Sequence, residues 1–468
     1  MSRRHPHVSV VLPAFNKVDA LKITLPRLLN QTVPDQRYEV IVVDDHSTDG
    51  TGTYLSENVG EEEATVLTSR GRRSAAAARK TGLEQASGTW TLLLDVDTLV
   101  SRRLLSQFFK QDLNEDTAWI FPKLGDGESS DTWRLRTNLP QVEEADPDKL
   151  LAHARSSPHL SDHRLSWADP SFDQHRAPWV GFWTGAVAAS TEALRSASPE
   201  ASYSGKGSED LVMGLNLFEA GYRFRFAEVL PLLHLPHPRD RRAEITKNRE
   251  HERLLQKQRP RLDVECLRAF GGDAVHDALS ALSPLADRSL LPDWPDSTLP
   301  FDLPGRPSKT LLLGAGASPV RHMVEAGLIA DPSLMPDPDT GRFALFGLAL
   351  PFGDGALDTV VVPDLRGRLP EAALCRIFQE AARVADTVWF VKNAHTSHPP
   401  SVRARAWQSF DRPYWETVFR VSRSYFDWKV EPVSQTGSLC LCRVTTNFDM
   451  HPIPPSKRIH ESAGEPRH

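Results

Sequence analysis

Short β-branched runs that end in proline or acid alternate with stretches whose apolar residues recur at helical spacing. Val8-Ser9-Val10-Val11-Leu12 is stopped by Pro13 and enters a loop at Ala14-Phe15-Asn16, which predicts a buried first strand. Leu21, Leu25, Leu28 and Leu29 then recur at helical spacing. Glu39-Val40-Ile41-Val42-Val43 is a second strand that closes on Asp44-Asp45 before the turn-rich His46-Ser47-Thr48-Asp49-Gly50-Thr51. An alanine-rich helix over residues 74–88, carrying Arg79, and a strand over residues 90–95 complete a third cycle. Strand, helix, strand at this spacing is a βαβ unit, so the chain is α/β, with a parallel sheet that binds ligand at the carboxyl ends of its strands.

Leu92-Leu93-Leu94-Asp95-Val96-Asp97-Thr98 carries that sheet to its polar end. Side chains in a strand alternate with period two, so Asp95 and Asp97 are expected to point the same way. Two converging carboxylates suit a hard divalent cation such as Mg²⁺ or Mn²⁺, and such a cation often carries a diphosphate. A strand followed by an acidic turn is the plain alternative.

Periodicity is lost over residues 123–178, which are rich in Asp, Ser, Pro and Arg and predict a long loop or helical insertion over the site. Order returns at Trp179-Val180-Gly181-Phe182-Trp183-Thr184-Gly185-Ala186. After Ser204-Gly205-Lys206-Gly207-Ser208-Glu209-Asp210, apolar Val212, Leu215 and Phe218 mark a helix that closes at Gly221 with Ser208 as N-cap. Glu209 and Asp210 lie in its first turn, where acids also stabilise the helix dipole. A strand over residues 224–233 leads to His234-Leu235-Pro236-His237-Pro238, and a charged helix over 244–258 ends the first domain, 1–258. Proline-rich residues 259–307 predict a linker. A second, smaller α/β domain covers 308–445, and a polar tail covers 446–468.

Composition changes this picture little. A chain of 468 residues exceeds one hydrophobic core, and 40% hydrophobic with 25% charged residues is the make-up of a globular protein. A net charge of -6 offers no general attraction to nucleic acid. No apolar run approaches the roughly 20 residues of a membrane span. Cys266, Cys375, Cys440 and Cys442 form no CxxC pair, and Cys440 and Cys442 share a strand face, so reduced thiols and a cytoplasmic location are expected.

Residues 8–16, Asp44-Asp45-His46-Ser47-Thr48-Asp49, Ala78-Arg79-Lys80-Thr81-Gly82, Ala86-Ser87-Gly88 and Asp95-Val96-Asp97 follow the order and spacing of the family 2 glycosyltransferases, which the chain resembles over residues 8–105. It departs from them at Lys80, where asparagine is usual, and at Ser74, where glycine is common. The resemblance implies a GT-A, Rossmann-like nucleotide-sugar-binding domain. Asp44 or Asp45 would hold uracil and ribose, Phe15 would flank the base, Pro13 would lie in the donor site, and Asp95 and Asp97 would take the metal. Arg70, Arg72, Arg73 and Arg79 would add positive charge, although arginines on such a helix are usually a solvated face. The Glu209-Asp210 stretch resembles the acceptor-side motif of chondroitin-polymerase-like and polypeptide N-acetylgalactosaminyltransferase-like enzymes. That makes Asp210 the general base and gives Glu209 the sugar hydroxyls. In the latter enzymes the second histidine of such a His-x-x-His completes the metal site, which implies His237 as third ligand, with His234 as substitute. Two aspartates and an imidazole favour Mn²⁺ over Mg²⁺.

Thr310-Leu311-Leu312-Leu313-Gly314-Ala315-Gly316-Ala317-Ser318, Asp331 and the run from Leu350 to Val362 resemble class I S-adenosylmethionine-dependent methyltransferases over residues 308–395. Leu312 replaces the usual acid of the first strand, Ser318 the third glycine, and the acid near the adenine is missing around Leu348. A bulkier residue in a glycine turn keeps ligand from the backbone. A degenerate domain serving packing, homodimerisation or acceptor docking is therefore expected, without S-adenosylmethionine.

Together these readings predict metal-dependent transfer of a sugar, with N-acetylhexosamine as the first choice, from a UDP-sugar to a hydroxyl of a soluble acceptor such as a natural-product or nucleoside intermediate. Inversion follows from an Asp210 base, although the resembled families include retaining enzymes. The rivals are a bifunctional glycosyl- and methyltransferase, and a non-catalytic sugar-nucleotide binding protein.

Overall fold

The computed structural model describes residues 7–33, 37–70, 74–125, 147–156, 160, 162–168, 172–199, 209–235, 252–256, 258–286, 309–313, 328–330, 342–343, 345–363, 369, 371–393, 428–436 and 439–446. The chain divides into two compact units, Met1–Ser280 and Ala281–His468.

The first unit is built on a seven-stranded sheet of order β3-β2-β1-β4-β8-β6-β9. Its strands are β1 (Val8–Ala14), β2 (Tyr38–Asp44), β3 (Thr65–Thr68), β4 (Trp90–Leu94), β6 (Thr117–Ile120), β8 (Ala186–Ser190) and β9 (Arg223–Phe226). β3, β2, β1 and β4 are parallel, with Val10 opposite both Val40 and Leu92. β8 runs antiparallel to β4, pairing Leu92 with Ala188, so the sheet is mixed rather than wholly parallel. The continuous apolar runs of β1, β2 and β4 reflect burial on both faces. Helices α1 (Val18–Leu29), α2 (Thr51–Asn58) and α3 (Ala75–Gln85) supply the crossovers between the first strands.

α3 lies unusually close to the sheet. A Cβ at Gly82 would stand 2.4 Å from Val11 Cγ1, so only glycine permits this approach.

Beside the main sheet lies a small one of order β5-β10-β7, formed by Thr98–Leu99, Leu232–His234 and Lys123–Leu124. The single strand expected over 224–233 is thus two strands in two sheets, because Pro231 and the turn before it break the ladder. α4 (Leu104–Phe108) follows β5, and α5 (Pro147–Ser156) lies in the aperiodic segment. α6 (Thr191–Ala197) follows β8, and α7 (Glu209–Glu219) ends before Gly221, whose φ is +87°. The expected N-cap, Ser208, and most of the helix expected over 244–258 lie outside the described residues.

The stretch expected as a linker opens with two helices, α8 (Leu262–Phe270) and α9 (Val275–Ala286). α8 buries Val264, Cys266 and Leu267 together with Asp263 and Glu265. Cys266 is a free thiol, and burial pushes it well above its usual range.

The second unit has a seven-stranded sheet of order β13-β12-β11-β14-β15-β17-β16. β11 (Thr310–Leu313), β12 (Leu328–Ala330), β13 (Arg342–Phe343), β14 (Leu357–Pro363) and β15 (Ala385–Asn393) are parallel, with α10 (Glu371–Val384) between the last two. β16 (Trp428–Thr436) and β17 (Leu439–Thr446) form an antiparallel hairpin on β15. Gly314, Gly316, Ser318, Asp331 and residues 447–468 of the expected tail lie outside the described residues, while residue 446 ends β17; Leu312 and Leu348 are buried. No described helix is long and apolar enough to cross a membrane.

Candidate active site

The loops that follow β1 and β2 are laced together at the carboxyl edge of the sheet. Asn16 donates its amide to Ser47 Oγ at 3.0 Å, and its Oδ1 accepts from the Thr48 amide at 2.8 Å. Asp49 accepts from the Val18 amide at 3.0 Å. Burial works to raise the Asp49 carboxyl, but the Thr51 hydroxyl and the Val18 and Thr51 amides together hold it below its ordinary value. Asn16 and His46 have φ of 49° and 61°, a left-handed backbone that costs side-chain-bearing residues energy and clusters at functional sites. Along this edge lie Pro13, Asp44, buried Asp45 and Phe15, whose ring is exposed. Asp44 Oδ1 accepts from the Ser47 amide at 3.1 Å.

β4 stops at Leu94, so strand alternation does not set the directions of Asp95 and Asp97. A turn does so instead, closed by the Thr98 amide on Asp95 O at 3.0 Å, with Thr24 Oγ1 donating to Val96 O at 2.6 Å. The two carboxylates then meet different cations. Asp97 lies 3.0 Å from Lys17 Nζ and 3.5 Å from His234 Nε2, whereas Asp95 Oδ1 accepts from Arg79 at 2.9 Å. Gly185 leaves room over Asp95, because a Cβ there would come within 2.7 Å of Asp95 Oδ2 and 2.8 Å of Lys123 Nζ.

Arg79 joins this edge to α7. Its side chain is 7% exposed, and it gives NH2 to Asp95 and NH1 to Glu209, each at 2.9 Å. Burial alone would lower its pKa, but the two carboxylates more than offset that and hold it firmly charged. Glu209 is buried beside it, in the first turn of α7. Asp210 follows, and its Oδ1 accepts from the Leu211 amide at 2.8 Å. Burial first, and then the Glu209 charge, push the Asp210 carboxyl up to about 7 against the pull of Arg79.

The fold therefore brings Arg79, Asp95 and Glu209 into one ion-paired group, with Asp210 within their electrostatic influence and Asp97 paired to Lys17 and His234. It does not bring Arg70, whose side chain is 79% exposed and lies 3.7 Å from Glu84. Arg72, Arg73 and His237 lie outside the described residues. Lys17, Lys123 and Gly185 were not singled out by sequence reasoning. Lys17 offered a signal, standing directly after the first loop, whereas Lys123 sits in an aperiodic stretch and offered none.

Among the described residues, no three His, Cys, Asp or Glu side chains gather as a metal-binding group. The donor types nevertheless fit a divalent cation, since Asp95 and Asp97 offer hard oxygens, His234 an imidazole, and Gly185 the space a side chain would fill.

Residues 9–161 match the model of Glycosyl transferase family 2. Glycosyltransferase AglE of Haloferax volcanii is 35% identical over 98 residues, 21% of this chain and 32% of that protein. Poly(ribitol-phosphate) beta-N-acetylglucosaminyltransferase TarP of Staphylococcus aureus is 31% identical over 120 residues, 25% of this chain and 36% of that one. Validoxylamine A glucosyltransferase of Streptomyces hygroscopicus is 27% identical over 248 residues, 52% of this chain and 58% of that protein. The chain thus spans between 32% and 58% of the length of these relatives.

Proposed function

We propose, from the family 2 glycosyltransferase match over residues 9–161 and the site that this segment forms with Glu209, Asp210 and His234, that the protein transfers a sugar from a UDP-sugar to an acceptor hydroxyl in a metal-dependent, inverting reaction. One observation carries the reading: Asp95 and Glu209, which we assign to the diphosphate and acceptor sides, share the guanidinium of Arg79, and Asp210 follows Glu209.

A sugar hydroxyl is a poor nucleophile, so a carboxylate must take its proton as the new bond forms. Asp210, with its carboxyl up to about 7, is ionised in useful amount at neutral pH and is a stronger base than an ordinary aspartate. The acceptor oxygen bonds to the anomeric carbon, the bond to UDP breaks, and the proton passes to Asp210. Glu209 keeps Arg79 charged and in place, and offers its remaining oxygen to sugar hydroxyls. Negative charge gathers on the departing diphosphate, where Lys17, Arg79 and Lys123 stand as the chain's own cations. Asp95, Asp97 and His234 or His237 would hold a divalent cation, which would supply further positive charge there. Uracil and ribose take Asp44 or Asp45, with Pro13 and Phe15 beside the base.

An N-acetylhexosamine donor agrees with TarP, and a small natural-product acceptor agrees with validoxylamine A glucosyltransferase, the longest of the three alignments. Calorimetric titration of UDP with Mn²⁺, and then with EDTA, tests the reading: binding that requires the metal is expected. Absence of binding under both conditions overturns it.

For the second unit, β13-β12-β11-β14-β15 follows a doubly wound order, which supports a methyltransferase-like fold. Leu312 and Leu348 are buried core residues where acids would be needed, so the unit is read as degenerate, available for dimerisation or acceptor docking. Binding of S-adenosylmethionine by the full chain at millimolar ligand overturns that reading and favours a bifunctional enzyme.

A further inference from the structure

Two tryptophans flank the loop before β8, and they are held differently. Trp179 is 0% exposed, with its indole N–H on Asp263 at 3.0 Å, and is core. Trp183 is only half-buried, yet it is fixed from several directions. Its N–H donates to Val180 O at 2.9 Å, the His163 ring lies 5.3 Å away, and the Arg164 guanidinium stands 4.4 Å from its ring centroid.

Arg164 is itself locked. Its side chain is 1% exposed, paired with Asp162 at 2.6 Å, and it donates to Gly181 O at 2.9 Å and Phe121 O at 3.2 Å. A buried ion pair is a weak source of stability and a good source of fixed geometry. Here it immobilises an aromatic ring that is not fully covered.

The place of that ring is what gives it a role. Two residues on, Gly185 O accepts the Asp95 amide at 3.0 Å. On the other side, α7 packs against the segment just before Trp183: a Cβ at Gly214 would come within 2.6 Å of Trp179 O and 3.1 Å of Phe182 Cβ. Trp183 therefore joins the turn that carries Asp95 to the segment that seats the helix of Glu209 and Asp210.

We infer that Trp183 is the platform for the acceptor, and that the acceptor presents a six-membered polyol ring, a pyranose or a cyclitol, stacked on the indole. This rests on the glycosyltransferase reading of the site. Such a ring has an apolar C–H face that covers an aromatic surface while its hydroxyls turn outward to Asp210 and Glu209. An open-chain polyol has no such face, so the platform selects cyclic over linear acceptors. Asp162 and Arg164 act as positioning residues.

The test is saturation-transfer NMR on the full chain with UDP and Mn²⁺, using methyl glucopyranoside, myo-inositol and the linear ribitol as probes. The ring probes are expected to receive saturation at their C–H protons, and ribitol is not. Trp183→Ala should weaken ring-probe binding about tenfold and leave UDP affinity unchanged, Trp183→Leu should do the same, and Trp183→Phe should keep most of it. Intact UDP binding shows that each variant is folded and that the donor site stands, which separates this inference from the reading beneath it. Ring probes that bind Trp183→Leu as well as the parent, fail to bind the parent, or bind no better than ribitol overturn it.

Discussion

Arg79 and Glu209, 130 residues apart in sequence, meet at 2.9 Å, and the same guanidinium holds Asp95 at 2.9 Å. Removing it leaves buried Glu209 and partly exposed Asp95 without their shared cation. Arg79→Met is expected to cost about 3–5 kcal/mol of stability in urea unfolding, as the loss of one partner from a buried pair does. A change below about 1 kcal/mol would show that the pairing is incidental.

Asp210 sets a pH dependence. Its carboxyl moves from an ordinary 3.8 to about 7 in the folded chain, so the basic form predominates only above that point. The kcat/KM profile is expected to rise through about pH 7 and then level off. A limb at the position of an ordinary aspartate would remove Asp210 from the base role.

The same shift bears on stability with the opposite sign. Between 3.8 and about 7 the folded state holds a proton that the unfolded state releases, so stability contributed by this group falls as pH rises through that window. Asp210→Asn, neutral at every pH, is expected to abolish turnover, to keep UDP binding, and to melt about 2 °C or more above the parent at pH near 8. Calorimetry alongside a transfer assay checks all three.

Asp97 meets Lys17 at 3.0 Å and His234 at 3.5 Å, the only imidazole paired with it among the described ion pairs. Asp97→Ala is expected to weaken UDP binding roughly tenfold or more in Mn²⁺ and to change it little in EDTA. Equal affinity of parent and variant in Mn²⁺ would refute Asp97 as a ligand.

Gly185→Ala tests the room above Asp95. The new methyl meets Asp95 Oδ2 at 2.7 Å and Lys123 Nζ at 2.8 Å, both side-chain atoms, so the fold should survive while the site is displaced. Weaker UDP binding with little change in melting temperature is expected, and unaltered binding would mean that ligand never approaches Asp95.

Much of the first unit was legible because buried parallel strands read as unbroken apolar runs: β1, β2 and β4 were found where they lie. The end of β4 was not legible, since three leucines followed by alternating acids also describe a longer strand, and only the turn bond from Thr98 to Asp95 tells them apart. Prolines concealed α8, and its buried run, Asp263 to Leu267, mixes acids with apolar residues and shows no clean helical stripe. Within the site, Arg79, Asp95 and Asp210 were legible as residues of a motif. That Arg79 bridges Asp95 to Glu209, and that Lys123 comes near Asp95, follows from how distant segments close on one another, and no local pattern encodes it.

Gly82 contributes no side chain to the site, yet it governs how far α3 stands from β1, one helical turn beyond Arg79. Adding a single methyl there, 2.4 Å from Val11 Cγ1, would lever the helix outward and draw the guanidinium off two partners that it reaches at hydrogen-bond length. Charge placement at the proposed site is thus a matter of sheet-to-helix spacing, set where no side chain of the site takes part.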